Sequence, residues 1–165
     1  MAAEALLPEF DHEMTMTRRL LERVPDAVLS WRPHEKSFTM AGLATHLANI
    51  PRWGRSILDH THYDLAQSEG RRPPEGGSCA EILAAFDQHV GAVRKTLIEK
   101  SDAELGAIWT LKRGDHVVLT MPRTAAIRRF LVHHMIHHRG QLSVYLRLQN
   151  VALPPMYGPS ADERL

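Results

Sequence analysis

V-H-H-M-I-H-H-R-G-Q, running from Val132 to Gln141, carries four of the chain's eleven histidines within six positions. Apolar residues recur around it at Ile127, Phe130, Leu131, Leu142, Tyr145 and Leu148, with the period near 3.6 that marks an amphipathic helix. On a helix, residues four apart stand one above the other, so His134 and His138 share a face while His133 and His137 point elsewhere. At about 100° per residue the apolar positions straddle that pair, and Arg129, Arg139 and Arg147 fall on the far side. The pair is therefore expected to face the core, with Arg139 pointing outward. Buried imidazoles need partners for their ring nitrogens, and protonating both would set like charges one turn apart. A divalent metal removes both costs. The pattern H-x-x-x-H alone reads equally well as two hydrogen-bonded core histidines, so a third ligand has to separate the readings.

The segment M-A-G-L-A-T-H-L-A-N-I-P-R-W-G-R-S-I-L-D supplies one. Thr39 is a good N-cap for a helix ending near Asp59. Leu43, Ile50, Trp53 and Ile57 all lie within about 60° of His46, so His46 shares the buried face and is the natural third ligand. Pro51 lacks the N–H that the Leu47 carbonyl would accept, so a kink is expected one turn after His46.

The remaining chain frames these two helices. Leu7, Phe10, Met14, Thr17, Leu21 and Val24 form the inner stripe of a first helix from about Ala5, ended by Pro25, with His12 toward solvent. A packed loop follows through Trp31, His34 and Ser37. His60 to Gly77, including R-R-P-P-E-G-G, reads as a long exposed connection with His60 and His62 in solvent. Ser78 and Glu81 are placed for a capping box on a third helix whose stripe is Ile82, Phe86, Val90, Val93 and Leu97, with His89 a satisfied histidine at its edge. Strand-like alternation around Arg113-Gly114-Asp115 predicts a small β-hairpin, and Pro122 to Thr124 opens a fourth helix reaching about Asn150. The expected fold class is all-α: one domain over residues 1–165, a four-helix bundle with a small β-hairpin before the last helix.

Twenty basic against nineteen acidic residues leave a formal charge of +1, so no global field attracts nucleic acid. A single cysteine, Cys79, excludes an internal disulfide and reads as structural, in keeping with a reducing, cytoplasmic setting. Neither a signal-peptide pattern nor an 18-residue apolar run occurs, so no membrane association is expected.

Three histidine nitrogens leave positions open on Zn²⁺, Ni²⁺ or Fe²⁺ for water or substrate, unlike the closed four-ligand sites of structural zinc. The segments H-L-A-N-I-P-R-W from His46, H-M-I-H-H-R-G-Q-L-S-V-Y-L-R from His134 and P-P-M-Y-G-P-S from Pro154, with W-R-P-H-E-K-S from Trp31 as a weaker match, resemble the DinB-like family of bacterial metal-binding bundles. The resemblance spans roughly Phe10 to Ser160. It implies a metal triad at His46, His134 and His138, an up-down-down-up bundle and a frequent homodimer. Relatives include metal-dependent hydrolases and thiol-dependent S-transferases, and the damage-inducible family name does not imply DNA binding.

The expected activity is metal-assisted transfer or hydrolysis on a small molecule, with water or a low-molecular-weight thiol cosubstrate activated at the ion. The alternative is a non-catalytic metal-binding, stress-associated protein. Trp53, Gln141 and Tyr145 share the ligand faces and are pocket candidates, while no carboxylate does, so no catalytic residue is assigned. Val132 and Ile136 lie about 160° from His134, and this apolar back face is expected to pack against a second copy, rimmed by Arg129, Arg139 and Arg147.

Overall fold

Spacing of apolar residues by threes and fours resolves into four long helices, in a computed structural model that describes residues 2–67 and 73–164. Helix α1 is Ala2–Leu21 and α2 is Met40–Asp59. Strand β1, His62–Asp64, precedes α3, Cys79–Glu99, and the short α4, Asp102–Gly106. Strands β2, Ile108–Arg113, and β3, His116–Pro122, form the hairpin. The expected fourth helix is divided into α5, Arg123–Ile127, a π-helical segment, Arg128–His133, and α6, His134–Leu148.

Side-chain pairs fix the directions. Arg18 with Asp87 and Arg94 with Asp11 run α1 against α3. His89 donates from α3 to the Ala48 carbonyl of α2 at 2.8 Å, and Gly54 lies beside Val93, so α2 and α3 run together. Glu9 with Arg128 and Glu13 with Arg139 make α1 parallel to the last helical stretch, whereas His46 facing His134 and Gly54 facing Leu131 set α2 antiparallel to it. The bundle is up-down-down-up. At Gly54 a Cβ would stand 2.1 Å from Leu131 Cδ1, so glycine is what permits this approach of α2 to the π-helical segment.

The caps follow the sequence closely. Thr39 Oγ1 accepts from Gly42 N, and Ser78 from Glu81 N. Glu81 does not close the expected box, since its carboxylate accepts from Gly77 N at 2.8 Å, one residue before the cap. The complete capping box belongs to Ser101 and Glu104 on α4, a helix absent from the sequence reading although S-D-A-E carries the signature. The Ser101 N–H, with Lys100 and the Ser101 hydroxyl, pulls the Glu104 carboxyl down to about 2. Helix α2 continues through Pro51, and beside it His89 occupies the Ala48 carbonyl, the satisfied role expected for that histidine. Arg123 donates to the carbonyls of Ile57 at 3.0 Å, His60 at 3.2 Å and Glu104 at 3.1 Å, placing a cation where α2 and α4 end.

The hairpin turns at Gly114, with φ of 58°, and β1 joins it in parallel with β2 to make a three-stranded sheet of order β1-β2-β3. The connection after His60 is thus partly tied into a sheet. Its Arg71 and Arg72 lie outside the described residues, while Glu75 accepts from Thr39 Oγ1 at 2.8 Å.

Three expectations about the last helix are corrected: the facing of its ligand stripe, its apolar back face and the direction of Arg139. Its buried residues, Leu131, Val132, Met135, Arg139, Leu142 and Leu146, centre about 110° round the helix from His134, so the ligand stripe borders the core instead of facing its middle. Leu148, expected inside, is 56% exposed. Val132 is 2% exposed and Ile136 packs against the core, so this pair offers no outer face to a second copy. Arg139, expected outward, is 1% exposed. Its Nη2 meets Glu13 Oε2 at 2.6 Å, and its Nη1 donates to the Glu13 carbonyl at 3.0 Å and to Thr17 Oγ1 at 3.3 Å. Tyr157 accepts from Arg139 and donates to Glu13 Oε2, folding the tail back over α1 and α6. The wheel failed here because an ion pair buried between helices reads, residue by residue, as two surface charges. Among the described residues no helix is long and apolar enough to cross a membrane.

Candidate metal centre

His46 stands in the second turn of α2, set by the Thr39 cap and by Leu43, Ile50 and Ile57, which are fully buried on the same side. His134 opens α6 immediately after the π-helical segment, an irregularity that recurs at functional sites. His138 follows one turn later. The two helices bring the three imidazoles together, all half-buried, with one nitrogen from each within 4.8 Å of the others. Ring centroids are 5.1 Å apart for His46 and His134, 4.4 Å for His46 and His138, and 4.7 Å for His134 and His138.

His46 Nε2 lies 3.3 Å from His134 Nε2. Two nitrogens each about 2.0–2.1 Å from a tetrahedral ion stand about 3.3–3.4 Å apart, so this edge of the cluster already has the span that a shared metal requires. The outer nitrogens are committed elsewhere. His138 Nδ1 donates to Gln141 Oε1 at 2.7 Å, which leaves its Nε2 lone pair for the cluster. The His134 ring bonds the Phe130 carbonyl. Such partners fix the tautomer and orientation of ligating histidines. The Gln141 amide also donates to His137 Nε2 at 3.2 Å, and His137 itself is exposed.

Burial pushes the His134 imidazole below its ordinary range, helped by the neighbouring His138, and against the hydrogen bond to Phe130. Burial also lowers His138, opposed by its bond to Gln141. Both effects favour the neutral form, which is the ligating form.

The pocket candidates separate. Gln141 touches the cluster through His138. Tyr145 reaches it at one remove: the ring meets Trp31 edge-on at 5.6 Å and the hydroxyl donates to the Phe38 carbonyl at 3.3 Å. Trp53, two turns past His46, stacks on Tyr63 at 4.5 Å and lies 6.2 Å from Phe130. Sequence reasoning missed Phe38, which lies flat on His46 at 5.6 Å, edge-on to His138 at 6.4 Å, and is 37% exposed. The available signal was its position just before the Thr39 cap, where the chain turns onto the helix bearing His46. His12, His60, His62 and His133 are exposed, and His34 Nδ1 closes a turn by accepting from Lys36 N. Cys79 donates to the Leu21 carbonyl, and burial raises its thiol, so it is structural as expected. A cavity of about 950 Å³ does not enclose the histidines; it lies further along α2, past Asn49 and Trp53 to β1.

Comparison with known proteins bears on the fold and the family. YrdA of Bacillus subtilis (strain 168), described as uncharacterized, is 25% identical over 161 residues, spanning 95% of this chain and 89% of that protein. The crystal structure of a DinB-like protein from Bacillus cereus superposes with a TM-score of 0.75 at 22% identity, covering 93% of this chain and 97% of that one. A DinB-like protein of Bacillus subtilis, YjoA, gives a TM-score of 0.70 at 17% identity over 98% and 99% of the two chains. These last two likenesses establish the fold. A model of the DinB family matches residues 1–164, so the chain belongs to the DinB family.

Proposed function

We propose that His46, His134 and His138 bind one divalent ion, zinc, nickel or iron, and that its open position activates water or a low-molecular-weight thiol for hydrolysis of, or transfer to, a small molecule. The observation that carries this reading is the 3.3 Å separation of His46 Nε2 and His134 Nε2, with His138 presenting a third nitrogen whose ring is oriented by Gln141. The bound ion would lower the pKa of the water or thiol on it, which is chemistry no side chain at the cluster supplies. The chain's own residues offer the ion three imidazole nitrogens, favour the neutral form of His134 and His138 by burial, and shield one side with Phe38.

Phe38 lying flat on His46 also favours a second reading, in which the ion is held for stability without turnover. Elemental analysis of protein purified without a metal column, followed by screens of thiols with electrophiles and of amides and esters, separates the two. Turnover that requires metal supports the enzyme; metal-dependent stabilisation with no turnover across the panels supports the second. Absence of metal uptake by the parent protein would remove both. Self-association as a homodimer stands as a separate proposal carried by the family resemblance, and light scattering at tens of micromolar protein decides it.

A further inference from the structure

The 950 Å³ cavity along α2 lacks an assigned occupant, and its wall is chemically lopsided. Trp53 and Tyr63, stacked at 4.5 Å, give it an apolar shelf. Its two carboxylates are engaged: Asp59 Oδ2 receives Arg55 Nε at 3.0 Å, and Asp64 Oδ1 accepts from Gly114 N at 2.9 Å and Ala66 N at 3.0 Å. Arg52 is not. It lines this cavity and the adjoining one of about 320 Å³ beside His89, and among the described residues its guanidinium has no hydrogen-bond or ion-pair partner. A guanidinium offers five donors in a planar fork suited to carboxylate or phosphate.

Position ties the cavity to the histidines. Asn49 and Trp53 continue the His46 side of α2, and Trp53 packs toward Phe130, whose carbonyl holds the His134 ring. Arg52 is six residues past His46, about 9 Å along the helix axis. We propose that this cavity binds a small organic anion, its carboxylate or phosphate on Arg52 and its apolar body against Trp53 and Tyr63. As a substrate site this rests on the metal-centre reading, because Asn49 and Trp53 on its wall continue the side of α2 that bears His46; as a binding site it stands without metal.

The probes are 3-phenylpropionate, phenyl phosphate and the neutral 3-phenylpropionamide, titrated into metal-free full-length protein with tryptophan fluorescence and ligand-observed NMR. At least one anion is expected to bind saturably and about tenfold or more tighter than the amide. Its preference over the other anion identifies carboxylate or phosphate. Arg52→Gln is expected to lose about tenfold or more in anion affinity while the amide is unaffected. Trp53→Phe removes the fluorescence change. His46→Ala abolishes metal uptake and leaves anion binding intact, so failure of the metal centre and failure of the anion site are read separately. Equal binding of amide and anion, unchanged affinity in Arg52→Gln, or no saturable binding of either anion overturns the proposal.

Discussion

Gln141 holds His138 by one 2.7 Å bond, and that bond decides which ring nitrogen faces His46. Removing it frees the ring to rotate and to change tautomer, and loss of such a partner typically costs about 10–100-fold in metal affinity. Gln141→Ala is therefore expected to weaken metal binding by about that factor in a chelator competition, with thermal stability of the metal-free protein little changed because the residue is exposed. The histidines themselves give a pH dependence whose sign follows from burial. His134 and His138 are lowered in the folded protein, so the unfolded chain takes up protons near 6.5 that the folded one resists. Metal-free stability is present in full above about 6.5 and falls as the pH drops below it, which urea titrations at pH 8, 7, 6 and 5 will read. Stability rising toward pH 5 would mean that these rings are not buried as described.

Arg123 acts between elements. Its guanidinium serves three backbone carbonyls where α2 and α4 end and is 9% exposed, so no water can replace it fully. A buried acceptor left unmade costs about 1–3 kcal/mol. Arg123→Met should lose about 3 kcal/mol or more in urea denaturation, and Arg123→Lys most of that, since one ammonium cannot reach three divergent carbonyls. The π-helical segment Arg128–His133 works at the same scale, separating α5 from α6 and delivering His134 and Phe130 to opposite ends of one hydrogen bond.

Across the whole molecule, the Arg139–Glu13 pair and Tyr157 fasten α1, α6 and the tail at a point one residue from His138. Taking away one member of a buried pair strands the other charge, at about 3–5 kcal/mol, whereas replacing both by apolar groups is often near neutral. Glu13→Leu should therefore be severely destabilised in denaturant melts, and Glu13→Leu with Arg139→Met much less so. Val132 makes a second test of the interior. At 2% exposure, Val132→Asp buries an unpaired carboxylate, and the expected outcome is an unfolded chain by circular dichroism instead of a folded monomer.

Local sequence determined the helices, their caps at Thr39 and Ser78, the turn at Gly114 and the candidate ligands, because each depends on spacing or on contacts within a few residues. His46, His134 and His138 were legible for the same reason: i and i+4 on one helix, and the apolar side of another, can be counted from the chain alone. Contacts between residues far apart in sequence could not be counted. Arg139 and Glu13 are 126 positions apart, and each reads singly as a surface charge; only the packing of α1 on α6 makes them a buried pair. Phe38 on His46, β1 beside β2, and Arg123 at two helix ends were decided likewise by tertiary structure, because their partners lie on other elements. Periodicity located an apolar stripe on the last helix, but the direction of the core depends on which neighbours cover that helix, and the covering by α1 and the tail turned it about 110° from His134 and about 70° from His138.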